Sequence, residues 1–342
     1  MTDTMRALVL EGHGDLDQLR LRDDHPKPTA TPGHVVIKVR ATSFNYHDIF
    51  TTRGMPGIKI PFPVVIGLDL VGDVAELGEG VTGWSVGDRV LVHPIHPERG
   101  LMGETLDGGL AQYALVSAEQ LIPLPDEVEY AQAAALPVAY GTAHRMIVGK
   151  ETVKAGDKVL ILGASGGVGT ASVILCKRLG AHVIAAVGDD EKGAKLKEIG
   201  ADEVVNYKTE SFLDYVKEHH GKPQRYSYDT GVDVVINYTG GDTWAPTLRC
   251  VKLGGKILVC GATAGYDPTE DLRYIWTFEL QVIGSNGFTG DDFRALLDGV
   301  AAGDYEPLID QVLPLSRARE GLARLEERKF IGKIVVDPWG DE

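Results

Sequence analysis

At 342 residues the chain is long for one domain, and its 44% apolar content is enough for a full core, so two domains are expected. A formal charge of −15 disfavours nucleic acid and anionic membrane surfaces as partners, and no apolar run reaches the length of a membrane span. Three cysteines, Cys176, Cys250 and Cys260, are too few for a disulfide framework; with an amino-terminal segment lacking a signal-peptide pattern, they predict a cytoplasmic protein with buried thiols.

From Met1 to about Pro125 short strand patterns alternate with turn residues. The clearest are Val35–Val39, Leu70–Val74, Asp88–Val92 and Leu110–Val116, with turns at Thr31-Pro32-Gly33, Gly78-Glu79-Gly80 and Val86-Gly87-Asp88. This portion reads as a β-rich barrel or sandwich. After Asp126 the period changes, and Ala131–Ile147 reads as helix interrupted near Pro137.

The apolar run Val159–Leu162 has the composition of a buried strand, and it breaks into Gly163-Ala164-Ser165-Gly166-Gly167-Val168-Gly169 before a helical pattern over Thr170–Leu179 that stops at Gly180. Strand, glycine-rich turn and helix in that order point to a dinucleotide site. Ala164 stands where G-x-G-x-x-G has its first glycine, Gly166 lets the backbone approach a pyrophosphate, and Gly169 permits close helix–strand packing. The helix N-terminus offers N–H groups to the phosphates.

Further strand signals fall at Val183–Val187, Glu203–Asn206, Asp233–Asn237, Lys256–Cys260 and Leu280–Ile283. Six strands alternating with helices specify an α/β fold, a doubly wound parallel sheet with its ligand at the carboxyl ends of the strands. The tail carries a helix begun at Asp291-Asp292, a helix over Ser316–Arg328 and a strand at Lys333–Val336, which are expected to rejoin the β-rich part. The expected domains are therefore 1–126 with 284–342, and 127–283.

Residues spread along nearly the whole chain carry a family likeness: Gly67-x-Asp69 with Gly72, Gly87-Asp88-Arg89-Val90, Gly108-Gly109-Leu110-Ala111-Gln112-Tyr113, Ala164 to Gly169, Gly200-Ala201-Asp202, Gly254-Gly255-Lys256 and Gly332-Lys333-Ile334-Val335-Val336. The chain resembles the medium-chain dehydrogenase/reductase superfamily. That resemblance implies a GroES-like catalytic domain made of both chain ends around a Rossmann domain, with the nicotinamide in the cleft between them and a homodimeric assembly.

Zinc-using members place a Cys near a helix start and a His-Glu pair after a Gly; the matching places here are Asn45 to Asp48 and Gly67-Leu68-Asp69. Val92 to Gly109 holds no Cys, and His93-x-x-His96 reads as a polar loop. The chain is thus similar to the zinc-free branch of quinone oxidoreductases, enoyl reductases and crotonyl-CoA carboxylase/reductases. The last likeness lies in Phe44-Asn45-Tyr46, Gly103-Glu104-Thr105 and Arg273-Tyr274-Ile275-Trp276 with Ile283-Gly284-Ser285. Tyr238 stands where carboxylating members carry a CO₂-binding His, which argues against carboxylation.

The resemblance implies hydride transfer from NADPH, with NADH as the alternative, to the C=C of an α,β-unsaturated carbonyl compound or to a quinone. Rival readings are an enoyl-CoA reductase of the crotonyl or acrylyl type, an alcohol dehydrogenase, and a non-catalytic, crystallin-like NADPH-binding protein. Asn45 is expected either to polarise the substrate carbonyl or to cap the following helix. Tyr46, Glu104 or solvent would protonate the α-carbon, while His47 and Asp48 would structure the helix start.

Thr142, Ala164, Ser165, Gly166, Gly167, Val168, Asn237, Gly261 and Ser285 are expected to line the cofactor. Gly188 ends the second strand, where an acidic residue would select NADH, and Lys192 and Tyr207 match phosphate-binding positions of NADPH-dependent relatives. Asp189 and Asp190 add opposing charge.

Overall fold

The structure is a computed structural model that describes residues 3–96 and 98–340. The chain separates into two compact units, Met1–Gly141 with Thr289–Glu342, and Thr142–Phe288. Among the described residues no helix is long and apolar enough to cross a membrane.

In the first unit the strand His34–Ser43 is the hub, because its run of β-branched residues is buried along most of its length. The main sheet runs in the order Leu121–Pro123, Arg89–Val92, Val71–Leu77, His34–Ser43, Lys333–Asp337 and Ile309–Pro314, with Tyr113–Ser117 also paired to the hub. Val335 and Val336 lie opposite Ser43 and Thr42, so the last strand of the chain meets the end of the hub just before the helix Tyr46–Arg53. A smaller sheet orders Leu19–Pro26, Thr4–Leu10 and Val64–Val65. Phe44, Ile49, Ile66, Leu110, Leu322 and Ile334 share one core cluster that fastens these pieces together. The loops at 66–69 and 103–109 touch backbone to backbone: a Cβ on Gly108 would stand 2.2 Å from the Gly67 carbonyl oxygen, so only glycine fits.

The second unit is a six-stranded parallel sheet in the order Glu203–Asn206, His182–Val187, Lys158–Leu162, Val232–Ile236, Val251–Val259 and Gln281–Gly284. In chain order that is 3-2-1-4-5-6, the Rossmann arrangement, whose crevice opens at the carboxyl ends of the strands. Val159 to Leu162 are buried because helices cover both faces. The helix after the first strand spans Gly167–Arg178, starting a turn earlier than its apolar spacing suggests, with Gly166 as its N-cap. It ends in a Schellman motif. Gly180 has φ 81°, its N–H donates to the Lys177 carbonyl at 2.9 Å, and the Ala181 N–H donates to the Cys176 carbonyl at 3.1 Å.

The expected boundary after Asp126 does not match the packing, since residues 127–141 cluster with the first unit. Pro137 gives the physical reason. It breaks the helix that begins at Tyr130–Ala134, and a π-helical turn follows over Leu136–Tyr140. The Ala134 carbonyl and the Val138 N–H would bond each other in an α-helix; here the first lies 2.8 Å from Ser43 Oγ, whose one hydrogen is shared between it and Asp69 Oδ2, and Asp69 Oδ1 accepts from the second at 2.9 Å. At the other boundary, residues 284–288 stay with the second unit, where the Ser285 N–H donates to the Val259 carbonyl at 2.8 Å.

Candidate functional site

The first unit gathers several buried polar side chains around Asp69, which is fully buried. Its Oδ2 accepts from Ser43 Oγ at 2.5 Å, Asn45 Nδ2 at 2.8 Å and Lys333 Nζ at 3.1 Å, while Oδ1 takes the Val138 N–H. Lys333, 1% exposed, also donates to the Phe44 carbonyl and to Asn45 Oδ1, each at 2.7 Å. Taking a carboxylate and an amine out of water is costly, and this many charge-assisted bonds offset the cost.

Asn45 therefore has its carbonyl on Lys333 and one amide hydrogen on Asp69. It holds the N-cap position of Tyr46–Arg53, yet the bond that closes the helix start runs the other way, from the Asn45 N–H to the Asp48 carboxylate at 2.8 Å. One Nδ2 hydrogen remains for a ligand.

Glu104 is 7% exposed, and its Oε2 lies 2.7 Å from His47 Nε2. His47, expected only to shape the helix start, instead joins the proposed proton donor. Tyr46 packs its ring edge-on against Phe50 with centroids 5.1 Å apart. Asp48 is fully buried, its Oδ1 has no partner, and burial pushes its carboxyl up to about 7 against the Asn45 N–H, which pulls it down. A cavity of this unit, about 180 Å³ and lined in part by Met5, His25, His34 and Tyr113, includes none of Asn45, His47 or Glu104.

In the second unit the glycine-rich turn has the form its residues dictate. A Cβ on Gly169 would stand 2.6 Å from the Ala164 backbone, so the glycine allows the helix to sit on the strand. Ala164 is buried and donates its N–H to the Ala186 carbonyl at 3.0 Å. A Cβ on Gly166 would meet only the Gly163 carbonyl, at 3.7 Å, which leaves open space beside Ser165, Gly167 and Val168. The first N–H groups of the helix have no acceptor within it, so a phosphate fits there.

At the carboxyl end of the last strand Ser285 is 7% exposed and its hydroxyl oxygen is buried without a partner, an orphan that a polar ligand would satisfy. Gly261 is exposed beyond the end of the neighbouring strand. Thr142 is half-buried in the short helix Gly141–His144.

Three other expected cofactor residues are placed as follows. Asn237 is buried and spent on its own loop: its Oδ1 accepts the Thr239 and Gly240 N–H groups at 3.0 Å, and its Nδ2 donates to Thr247 Oγ1 at 2.9 Å. Its side chain organises the turn. Tyr207 is 45% exposed and lies over Gly188, where a Cβ would come within 2.7 Å of its ring. Lys192 lies on the helix Asp190–Glu198, and its N–H donates at 3.0 Å to Asp189, the N-cap. The capping bond holds the Asp189 carboxyl below its usual range.

Comparisons with known proteins agree with this architecture. An alcohol dehydrogenase GroES-like domain model matches residues 31–126 and a zinc-binding dehydrogenase model matches residues 167–302. Quinone oxidoreductase of Rattus norvegicus is 30% identical over 322 residues, 92% of this chain and 92% of that protein. Crotonyl-CoA reductase of Streptomyces avermitilis is 29% identical, covering 92% of this chain and 81% of its own. A solved NAD-dependent alcohol dehydrogenase superposes with a TM-score of 0.89 at 32% identity over 97% of this chain and 99% of that one. The chain belongs to the medium-chain dehydrogenase/reductase family. Within it the chain is an NAD(P)H-dependent oxidoreductase of the quinone and enoyl reductase branch.

For a member of this family, the donor set around Asp69 is unsuited to zinc. No thiol or imidazole lies among its bonded partners, and the carboxylate is already shared by four donors. Among the described residues the one grouping of three or more His, Cys, Asp or Glu with metal-ligand spacing lies in the other unit. Tyr238 is likewise committed, since its hydroxyl donates to the Gly163 carbonyl at 2.6 Å.

Sequence reasoning did not find Lys333, Asp69 or Ser43 as functional side chains. The available signal was a lysine opening the buried strand Lys333–Asp337.

Proposed function

We propose that this oxidoreductase is a zinc-independent, NADPH-dependent reductase of α,β-unsaturated carbonyl compounds or quinones. The observation that carries the reading is the Asn45 amide, held between Lys333 and Asp69 with one hydrogen left over. Such a fixed donor suits an oxygen that gains charge as a conjugated carbonyl is reduced.

When bound, the reduced nicotinamide supplies a hydride to the β-carbon or to the quinone. Asn45 stabilises the developing enolate oxygen. The His47–Glu104 pair holds a proton near the start of the same helix and delivers it to the α-carbon or the quinone oxygen, with Tyr46 as the other candidate. Gly166, Gly167 and Val168 would take the pyrophosphate and Ser285 a polar group of the cofactor. Gly188, carrying no acidic side chain, together with Lys192 and Tyr207 favours NADPH.

The second reading, an enoyl-CoA reductase, is supported by the similarity to crotonyl-CoA reductase. Carboxylation is disfavoured by the engaged Tyr238 hydroxyl. Purified protein assayed with NADPH and NADH against enones, quinones, enoyl-CoA thioesters and alcohols separates these readings. Turnover of enones or quinones that survives exhaustive chelation is expected; activity only on alcohols, lost on chelation, overturns the proposal.

A further inference from the structure

A polar cluster occupies the amino ends of two strands in the nucleotide-binding unit, opposite the carboxyl ends that receive the dinucleotide. His182 and Glu203 are the first residues of His182–Val187 and Glu203–Asn206, and His220 caps the C-terminus of Phe212–His219. Glu203 Oε1 lies 2.5 Å from His182 Nε2, and its Oε2 lies 3.1 Å from His220 Nε2. The three residues offer one ligand atom each within 4.8 Å of one another.

We infer that His182, Glu203 and His220 form a zinc site that clips the outer strand and its helix to the rest of the sheet. Two imidazoles and one carboxylate are a recurrent zinc ligand set, and nitrogen ligands favour zinc and its neighbours over magnesium or calcium. Tetrahedral bonds of about 2.1 Å place ligand atoms about 3.4 Å apart, so small side-chain rotations bring the three into range. His182 is 41% exposed at its side chain while His220 is 7% exposed, which gives the ion a path in and leaves a position for water.

The surroundings already hold the ligands in place. Tyr215 donates its hydroxyl to Glu203 Oε2 at 2.7 Å. Asp202 Oδ2 faces His182 Nδ1 at 3.9 Å, and Asp202 is itself fixed by Lys177 Nζ at 2.6 Å and the Val183 N–H at 2.8 Å. At that distance Asp202 makes no hydrogen bond to the ring, but it places a negative charge behind the imidazole.

The test is zinc titration of the full chain after chelator treatment, by calorimetry with metal analysis. One zinc per chain is expected, with a rise in the thermal midpoint. Glu203→Gln and the pair His182→Ala/His220→Gln should each weaken binding about tenfold or more, with circular dichroism showing that the variants fold. NADPH oxidation should be the same with and without the ion, which separates this site from the catalytic unit. No saturable zinc uptake, or uptake unchanged in Glu203→Gln, would overturn the proposal and leave the cluster as a hydrogen-bond hub.

Discussion

Lys333 Nζ stands 2.7 Å from Asn45 Oδ1, joining the last strand of the chain to the start of its first α-helix across 288 positions of sequence. The same nitrogen bonds Asp69, so one lysine holds both the amide proposed to act on substrate and the carboxylate behind it. Lys333→Met should cost about 3–5 kcal/mol, because it leaves Asp69 buried without its cation. Adding Asp69→Asn should recover part of that loss. By contrast, breaking the exposed Arg317–Glu320 pair should leave stability nearly unchanged. Urea unfolding of the three variants beside the wild type checks the order.

Asn45→Ala should lower kcat for an unsaturated carbonyl substrate about a hundredfold, or ~3 kcal/mol, with little change in NADPH affinity. A helix-capping role alone would predict a small loss of stability and normal turnover. The bonding in the structure changes that contrast, because the side chain bridges Lys333 and Asp69. Its removal should also cost about 1–3 kcal/mol from partners left unsatisfied. Kinetics at a temperature well below the melting point isolate the catalytic part, and a normal kcat there removes Asn45 from the chemistry.

Local chemistry made much of the fold legible. Val159–Leu162 could hardly be anything but a buried strand, and Gly180 stops its helix through a positive φ that the sequence already favours. The Asp69 cluster was not legible, because Lys333 lies 264 residues away and reaches it only through a strand pairing that no local pattern encodes. Asn237 shows a different limit. The sequence marks it only as a residue expected to line the cofactor, whereas in the structure its Oδ1 accepts the Thr239 and Gly240 N–H groups, bonds to its own loop that the strand pattern does not encode. Pro137 was visible as a break, but not that the freed Val138 N–H would go to Asp69.

Gly188→Asp tests cofactor choice, and the position of Tyr207 requires a control. Any side chain at 188 must displace the Tyr207 ring, so Gly188→Ala should weaken both cofactors by a similar factor. The aspartate should add a further penalty of about 1–3 kcal/mol for NADPH alone, from a carboxylate facing the 2′-phosphate. Dissociation constants for NADPH and NADH measured by fluorescence give the comparison. Identical behaviour of the two variants would mean that position 188 does not face the ribose.

Asp48 gives a prediction in pH. Its carboxyl is raised from the ordinary 3.8 to about 7, chiefly by burial, so the folded state binds its proton more tightly than the unfolded chain does. The stability this contributes is full below the unfolded value and is lost as pH rises through the folded one. Relative to Asp48→Asn, whose side chain stays neutral, the wild type should therefore lose stability between about pH 4 and pH 7. The slope should approach about 1.4 kcal/mol per pH unit. Glu203 acts with the opposite sign and in a lower window, since its depressed carboxyl contributes above its ordinary 4.5 and loses that contribution toward about 2. The two effects thus separate along the pH axis. Unfolding free energies of wild type and Asp48→Asn across this range decide the matter: a difference that stays flat from about pH 4 to pH 7 would show that Asp48 is ionised in the folded protein, with Lys333 and the helix N-terminus outweighing its burial.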